Sequence, residues 1–244
     1  MNYKAVLQYD GTRYRGWQTQ GNTDNTIQGK LETLLTKMAG EPVEVNGSGR
    51  TDAGVHAAGQ VISFRCKTKE SPEEICRYMN EYLPEDIAVL TVEEAAPRFH
   101  ARLNAVRKTY AYRIWNAPVK NVFRRRFTTW IQKPLDLDAM EQAATLLCGT
   151  HDYRAFCSLK KFKKSTVRTI EKIEIGKMGQ EIRISYTGDG FLYHMVRILT
   201  GTLVEVGLGL RKPEEMTEIL EGQDRTKAGR LMPPEGLTLE SVEY

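Results

Sequence analysis

A glycine-rich stretch, Asn46 to Ala57, holds the residues best suited by type to carry out chemistry. Its sequence, NGSGRTDAGVHA, has three glycines within eight positions, which permit tight turns and close backbone approach. Segments 41–45 and 60–65 are predicted strands on either side, and a loop presented by such a scaffold is a common location for catalytic residues. Asp52 supplies a carboxylate two residues after the guanidinium of Arg50. The structural alternative is that Asp52 only closes a turn with its own backbone.

Two further side chains outside this loop are candidates for a catalytic role. Tyr110 lies in a predicted strand, and its ring can hold a flat group while its phenol relays a proton. Tyr112 lies on the same strand face, so spacing alone does not choose between them, and strand tyrosines commonly belong to the core. Arg197 lies in the most apolar helix, where an unpaired guanidinium is costly. We therefore expect Arg197 to face an acidic partner.

Hydrophobic periodicity predicts a succession of strands and helices. Ser71-Pro72-Glu73-Glu74 is a capping box with proline at the first helical position, and Gly40 can end the helix before it. The predicted strands are Asn2–Tyr9, Glu41–Val45, Gln60–Arg65, Ile87–Ala95, Ala105–Asn116, Phe127–Gln132, Thr166–Ile175, Gln180–Thr187 and Leu237–Glu243. One predicted helix begins at Ile27 and can end at Gly40, and a second begins at Ser71 and runs to about Tyr82. Three more predicted helices are Asp138–Cys148, Phe191–Val206 and Glu214–Glu221.

The two halves of the chain show a similar order of elements, although no tandem sequence repeat is visible. This order predicts an α+β fold in which two related sheets form a cleft. Residues 97–104 have no clear period and are interpreted as the connection. The predicted domains are therefore residues 1–104, with the Asp52 loop, and residues 105–244, with the Tyr110 strand and the Arg197 helix.

Charge is distributed unevenly along the 244 residues, although the net charge is only +4. No acidic residue occurs from Ala95 to Leu135 or from Tyr153 to Ile170, whereas acids crowd the region after residue 213. Such a positive face suits a polyanion, although a charge run is often only a solvated surface. The basic residues of the two segments are Arg98, Arg102, Arg107, Lys108, Arg113, Lys120, Arg124, Arg125, Arg126, Lys133, Arg154, Lys160, Lys161, Lys163, Lys164 and Arg168.

Two shorter clusters are candidate nucleic-acid contacts. One interleaves aromatic residues with arginines, which can stack on bases and hold phosphates. The other is an arginine run without a neighbouring acid in the sequence, which we expect to bind phosphate. Their members are Arg13, Tyr14, Arg15 and Trp17 in the polar loop 10–25, and Arg124, Arg125 and Arg126.

The composition, 41% hydrophobic and 27% charged, is typical of a soluble globular protein. No run approaches the ~18 apolar residues of a membrane span, and the N-terminus lacks a signal-peptide layout, so a cytoplasmic location is expected. The four cysteines lack C-x-x-C or zinc-finger spacing, so we expect reduced thiols and no metal. No P-loop or G-x-G-x-x-G motif opening a helix is found, so no cofactor is expected.

Four motifs, spread in the expected order over nearly the whole chain, resemble those of the tRNA pseudouridine synthase A family. Four motifs in order are far more specific than one. They are Gly49-Arg50-Thr51-Asp52-Ala53-Gly54-Val55-His56-Ala57, Lys108-Thr109-Tyr110-Ala111-Tyr112-Arg113-Ile114, Gly190-Phe191-Leu192-Tyr193-His194-Met195-Val196-Arg197 and Pro233-Pro234-Glu235-Gly236-Leu237.

The resemblance implies an isomerase that needs no cofactor and turns uridine into pseudouridine in the anticodon stem-loop of tRNA, at positions 38, 39 and 40. It implies that Asp52 is the nucleophile, that Tyr110 holds the base and that Arg197 pairs with Asp52. Arg50 then holds the RNA backbone or fills the space left by the base, and His194 packs on the helix beside Arg197. Family members are homodimers that share one tRNA. Their fold has two ferredoxin-like halves with an extended antiparallel sheet and a central active-site cleft.

Two other functions would produce part of this pattern. A non-catalytic protein that binds structured RNA would show the same basic segments, but it would not need Asp52 in a basic loop. A metal-assisted nuclease needs several clustered acids, whereas the candidate site offers one.

Overall fold

Two α+β units make up the fold, which is taken from a computed structural model that describes residues 1–21 and 23–244. Unit 1 contains Met1–Val106 and Thr238–Tyr244, and unit 2 contains Arg107–Leu237. The strands are β1 (Asn2–Tyr9), β2 (Val45–Gly47), β3 (His56–Arg65), β4 (Ile87–Glu94), β5 (Arg107–Asn116), β6 (Thr129–Ile131), β7 (Gly149–Asp152), β8 (Val167–Met178), β9 (Glu181–Gly188) and β10 (Leu237–Glu243). The α-helices are α1 (Ile27–Ala39), α2 (Pro72–Tyr82), α3 (Leu137–Leu146), α4 (Met195–Gly207) and α5 (Glu215–Gly222). The predicted α+β class is confirmed.

The sheet of unit 1 is centred on β1 and β3, which pair antiparallel along nearly their full lengths. β4 pairs with β1 on the side away from β3. On the side of β3 away from β1, β2 pairs antiparallel with one part of the strand and β10 pairs parallel with another. Side chains of β1 alternate between buried and less buried, as the sequence pattern predicts. α1 begins at the Thr26 cap and ends at Gly40, whose φ is 70°, and α2 begins with the predicted Ser71–Glu74 capping box.

The sheet of unit 2 has the order β5-β9-β8-β7 with antiparallel pairing, and β6 runs parallel to β5. α4 is buried over most of its circumference, which confirms the prediction of a buried helix there. It approaches the segment after α5 closely at Gly201, where an added methyl group would lie 1.9 Å from the Arg230 carbonyl oxygen.

Three predicted elements begin four residues away from their start in the structure. β2 begins at Val45, where the prediction had a strand end, and β3 begins four residues before the predicted Gln60. α4 begins at Met195 instead of Phe191, because Leu192 to Met195 form a turn that the Met195 N–H closes on the Leu192 carbonyl oxygen. β7 was not predicted, because four residues are too few to show a period.

Within each unit, strand pairing is antiparallel except for the short parallel β3–β10 and β5–β6 ladders. β10 pairs with β3 of unit 1, the unit to which its residues from Thr238 onward belong. The division into two related halves, residues 1–104 and 105–244, stays a prediction.

Candidate active site

Asp52 lies in unit 1 on a turn that precedes β3. The Val55 N–H donates to the Asp52 carbonyl oxygen at 3.1 Å, and Gly54 supplies the positive φ of 80° that the turn requires. The Asp52 side chain is half-buried and that of Arg50 is exposed. A backbone hydrogen bond therefore closes the turn that carries Asp52.

A buried hydrogen-bond network supports the loop from below. The Tyr9 hydroxyl and Thr51 Oγ1 are 2.8 Å apart, and Gln60 Nε2 donates to the Gly49 carbonyl oxygen at 3.0 Å. Gln60 Oε1 accepts from the Ser48 hydroxyl at 2.6 Å. Burial raises the pKa of Tyr9 to about 12, so this phenol stays protonated at neutral pH. The network fixes the residues on the N-terminal side of Asp52.

The Gly11–Trp17 segment supports the loop from the other side. The backbone N–H of Trp17 donates to the Thr51 carbonyl oxygen at 3.0 Å. Gly16 has φ of 91°, and a methyl group added there would lie 2.9 Å from the same oxygen. One added at Gly11 would lie 2.0 Å from the Val55 carbonyl oxygen. The two glycines therefore let this segment pack directly on the backbone around Asp52.

The expectation that aromatic residues of loop 10–25 stack on bases is wrong. Tyr14 and Trp17 are only 5% and 3% exposed, because their rings belong to the core of unit 1. Arg13 and Arg15 are exposed, as an RNA contact requires. Arg13 Nη2 nevertheless lies 2.7 Å from Asp86 Oδ2, an acid 73 residues away in the sequence.

In unit 2 the structure distinguishes the two tyrosines of β5. The Tyr112 hydroxyl donates to the Pro233 carbonyl oxygen at 2.7 Å and lies 2.6 Å from Thr129 Oγ1. Burial raises the pKa of Tyr112, so its phenol stays neutral and structural. The Tyr110 ring instead makes an edge contact with Phe191, at 5.3 Å between ring centroids. This arrangement agrees with the choice of Tyr110 as the functional tyrosine, which stays a prediction.

Arg197 lies in the first turn of α4 and is only 8% exposed. Its Nε donates to the Met232 carbonyl oxygen at 2.7 Å, which fixes one edge of the guanidinium. Met232 immediately precedes the Pro233–Leu237 motif, and Gly236 of that motif packs against the Tyr112 ring. Three of the four motifs are therefore in contact within unit 2. Asp52 belongs to unit 1, and its pairing with Arg197 stays a prediction.

His194 is not on the helix face beside Arg197, contrary to expectation. It precedes α4 in a left-handed conformation with φ of 66°, which is uncommon for a residue with a side chain. Its ring stacks on Tyr193, and Nδ1 lies 2.8 Å from Ser158 Oγ. His194 therefore connects the start of α4 to the segment that precedes the lysine-rich residues 160–164.

The arginine run after β5 is not without an acidic neighbour. Glu181, the first residue of β9, lies 2.6 Å from Arg124 Nη1 and 3.7 Å from Arg113 Nε. Glu171 similarly lies 2.7 Å from Arg107 Nε. The expectation of uncompensated charge is therefore wrong at these arginines, because sheet pairing brings acids of β8 and β9 beside them.

Within residues 1–21 and 23–244, no group of three or more His, Cys, Asp or Glu side chains is arranged to hold a metal ion. In the same part of the chain, every helix is too short or too polar to cross a bilayer. The four cysteines form no disulfide, and Cys66 and Cys157 are buried.

Comparisons with known proteins agree with the four motifs. The chain is 48% identical over 243 residues to tRNA pseudouridine synthase A of Bacillus sp. (strain KSM-64), covering 100% of this chain and 99% of the relative. It is 47% identical to tRNA pseudouridine synthase A of Brevibacillus brevis, covering 99% and 98%. Among solved structures, a chain of a Cbf5-Nop10-Gar1 complex aligns with 97% of this chain, at 11% identity and a TM-score of 0.40. This chain spans about half (48%) of that one.

A family model described as tRNA pseudouridine synthase matches residues 5–104 and 143–244, which include all of the Asp52 loop and the Arg197 helix. This match covers most of the chain, and the two tRNA pseudouridine synthases A named above align over 99% and 98% of their lengths. The chain therefore belongs to the tRNA pseudouridine synthase family.

Proposed function

We propose that this protein converts uridine to pseudouridine in the anticodon stem-loop of tRNA, at positions 38, 39 and 40, without a cofactor. The observation that carries the proposal is the Asp52 turn, which the Tyr9–Gln60 network and the Gly11–Trp17 segment fix from two sides. A carboxylate held in this way is suited to attack a bound nucleotide, since catalytic groups must keep their position within a fraction of an ångström. The similarity to tRNA pseudouridine synthases along nearly the whole chain supports tRNA as the substrate.

The reaction needs a nucleophile but no oxidant, reductant or group donor. Asp52 attacks the uridine, the N1–C1′ bond breaks, and the detached base turns so that C5 faces C1′. A C5–C1′ bond then forms, the bond between Asp52 and the nucleotide breaks to restore the carboxylate, the proton on C5 is lost to solvent, and N1 takes up a proton. Atoms and electrons balance because the product is an isomer of the substrate.

The other site residues are assigned to binding and orientation. Tyr110 holds the base while it turns, with its ring oriented by the edge contact to Phe191. Arg197 is assigned to pair with Asp52, and the hydrogen bond from its Nε to the Met232 carbonyl oxygen supports this role by orienting the guanidinium. Arg50 contacts the RNA backbone or fills the gap left when the base leaves its stack. Arg13, Arg15, Arg124, Arg125 and Arg126 bind phosphates.

We also propose that the protein is a homodimer that shares one tRNA between its subunits and acts in the cytoplasm. Both statements rest on the likeness of the four motifs to the tRNA pseudouridine synthase A family. Sedimentation of the purified protein, alone and with tRNA, measures the stoichiometry directly.

Pseudouridine mapping in tRNA from cells that lack this protein tests the proposed function. We expect loss of pseudouridine at positions 38, 39 and 40 and its return when the parent chain is supplied. Unchanged modification of all three positions would contradict the assignment.

Removal of the arginine run is expected to reduce the salt dependence of tRNA binding. Replacing Arg124, Arg125 and Arg126 with alanine should weaken binding and lower the slope of log K against log salt, by up to about 0.7 to 0.9 per lost phosphate contact. Glu181 already neutralises part of the charge of Arg124, which reduces the contribution of this arginine. A control removes three cations that are paired with acids: Lys4, Lys67 and Lys172. Equal slopes for the arginine variant and the parent would refute a phosphate-binding role.

Gly16→Ala is expected to impair both stability and activity. The positive φ costs a residue with a side chain about 1 to 2 kcal/mol, and the new methyl group also presses on the Thr51 carbonyl oxygen beside Asp52. Gly40→Ala is the matched control, since Gly40 has φ of 70° but no atom within 4 Å of an added methyl group. Urea unfolding and rates of pseudouridine formation separate the two effects: both variants lose stability, and only Gly16→Ala loses activity in the folded state. Equal activity in the two variants would mean that the Gly16 contact does not position Asp52.

A further inference from the structure

Phe123 has the most exposed large hydrophobic side chain in the described part of the chain, at 94% exposure. It lies in the loop of residues 117–127 between β5 and β6, and Val119 and Val122 beside it are also exposed. Clustered exposed apolar side chains commonly mark a binding surface. The ring contributes almost nothing to the core of unit 2, and nearly its whole surface is available to a binding partner.

The loop holds Phe123 in a defined position. The indole N–H groups of Trp115 and Trp130 donate to loop carbonyl oxygens at 3.0 and 2.8 Å. The Asn121 carboxamide oxygen accepts from the Phe123 N–H at 3.1 Å. Because the backbone is fixed by these bonds, the ring can bind a partner at a low cost in conformational entropy.

The charges around Phe123 select the class of partner. Lys120, Arg124 and Arg125 are all exposed beside it, and Glu181 neutralises part of this charge through Arg124. Two copies of the loop brought face to face would place like charges together, which opposes self-association through it. A polyanion that carries flat aromatic groups satisfies both the cations and the ring.

We propose that Phe123 stacks on an unpaired base of the tRNA substrate while the neighbouring cations hold the adjoining phosphates. This inference rests on the proposed function, and it adds a contact with a base to the phosphate contacts of the arginine run. A stacked ring accepts any base, because every base has a π-face. The site is therefore specific for an unstacked base and not for a particular sequence.

Binding of unmodified tRNA to Phe123 variants tests the proposal. Loss of one stacked base corresponds to about 5- to 150-fold weaker binding, which is the effect expected for Phe123→Ala. Phe123→Tyr should bind like the parent, and Phe123→Leu should be nearly as weak as Phe123→Ala because it retains an apolar side chain without a ring face. The salt slope should stay that of the parent, since no ion contact is lost. Met178→Ala is the control, because Met178 is 78% exposed elsewhere in unit 2 and should have no effect.

Several outcomes would overturn the proposal. Parent affinity in Phe123→Ala, or full affinity in Phe123→Leu, would show that no base stacks on this ring. A change in sedimentation coefficient in Phe123→Ala without RNA would show that the loop is a protein interface. Each of these results overturns this inference alone, because the assay measures binding and does not depend on turnover. Failure of the parent protein to bind tRNA would overturn the proposed function as well.

Discussion

Asp52→Asn is expected to form no pseudouridine while it binds tRNA as tightly as the parent. The amide is nearly the same shape as the carboxylate but is a poor nucleophile, so the chemical step fails. The turn should survive, because its closing hydrogen bond joins the Asp52 carbonyl oxygen and the Val55 N–H and does not use the side chain. Removing a negative charge from a site that receives RNA should leave affinity unchanged or slightly higher.

The controls for this variant separate chemistry from structure. Asp52→Ala should behave like Asp52→Asn in both assays. Asp138→Asn removes the same charge from an exposed position in α3 and should keep full activity. Loss of tRNA binding together with activity in Asp52→Asn would favour a structural role for this residue. Turnover by pure Asp52→Asn protein, beyond what deamidation supplies, would show that the nucleophile lies elsewhere.

Arg197→Met is expected to reduce both the free energy of unfolding and the rate of pseudouridine formation. Methionine preserves the packing of the apolar helix but removes the donor to the Met232 carbonyl oxygen. If the guanidinium also pairs with Asp52, breaking a buried pair costs about 3 to 5 kcal/mol, because one charge is left alone. Urea unfolding measures the loss of stability, and single-turnover kinetics measure the loss of rate.

A double-mutant cycle decides whether Arg197 and Asp52 form this pair. The stability cost of Arg197→Met should be smaller in the Asp52→Asn background, since no carboxylate is then stranded. Arg197→Lys keeps the charge and should lose less stability than Arg197→Met. Additive costs of the two substitutions, within about 0.5 kcal/mol, would contradict the pair.

Sequence patterns predicted the helices, strands and turns whose formation depends on only a few neighbouring residues. β1 and β10 have the predicted boundaries, and the side chains of β1 alternate between buried and less buried along the whole strand. The start of α2 follows from its capping box, which operates over four residues. The turn at Asp52 was similarly indicated by its glycines.

Contacts between distant residues explain what the sequence did not predict. Asp86 and Glu181 pair with Arg13 and Arg124, which lie 73 and 57 residues away in the sequence, and only chain folding brings them together. Trp17 appeared in a polar loop, yet its backbone N–H donates to the Thr51 carbonyl oxygen beside Asp52 and its ring packs against Gly47. The left-handed conformation of His194 likewise has no signal in composition or periodicity.

Tritium release from tRNA that carries [5-³H]uridine in its anticodon stem-loop tests the central claim most directly, because formation of the C5–C1′ bond expels the label. The purified protein, in buffer without any cofactor, should release tritium to water and leave pseudouridine at positions 38, 39 and 40. Tight binding of that tRNA with no tritium released and no pseudouridine formed would show that the protein binds RNA without modifying it.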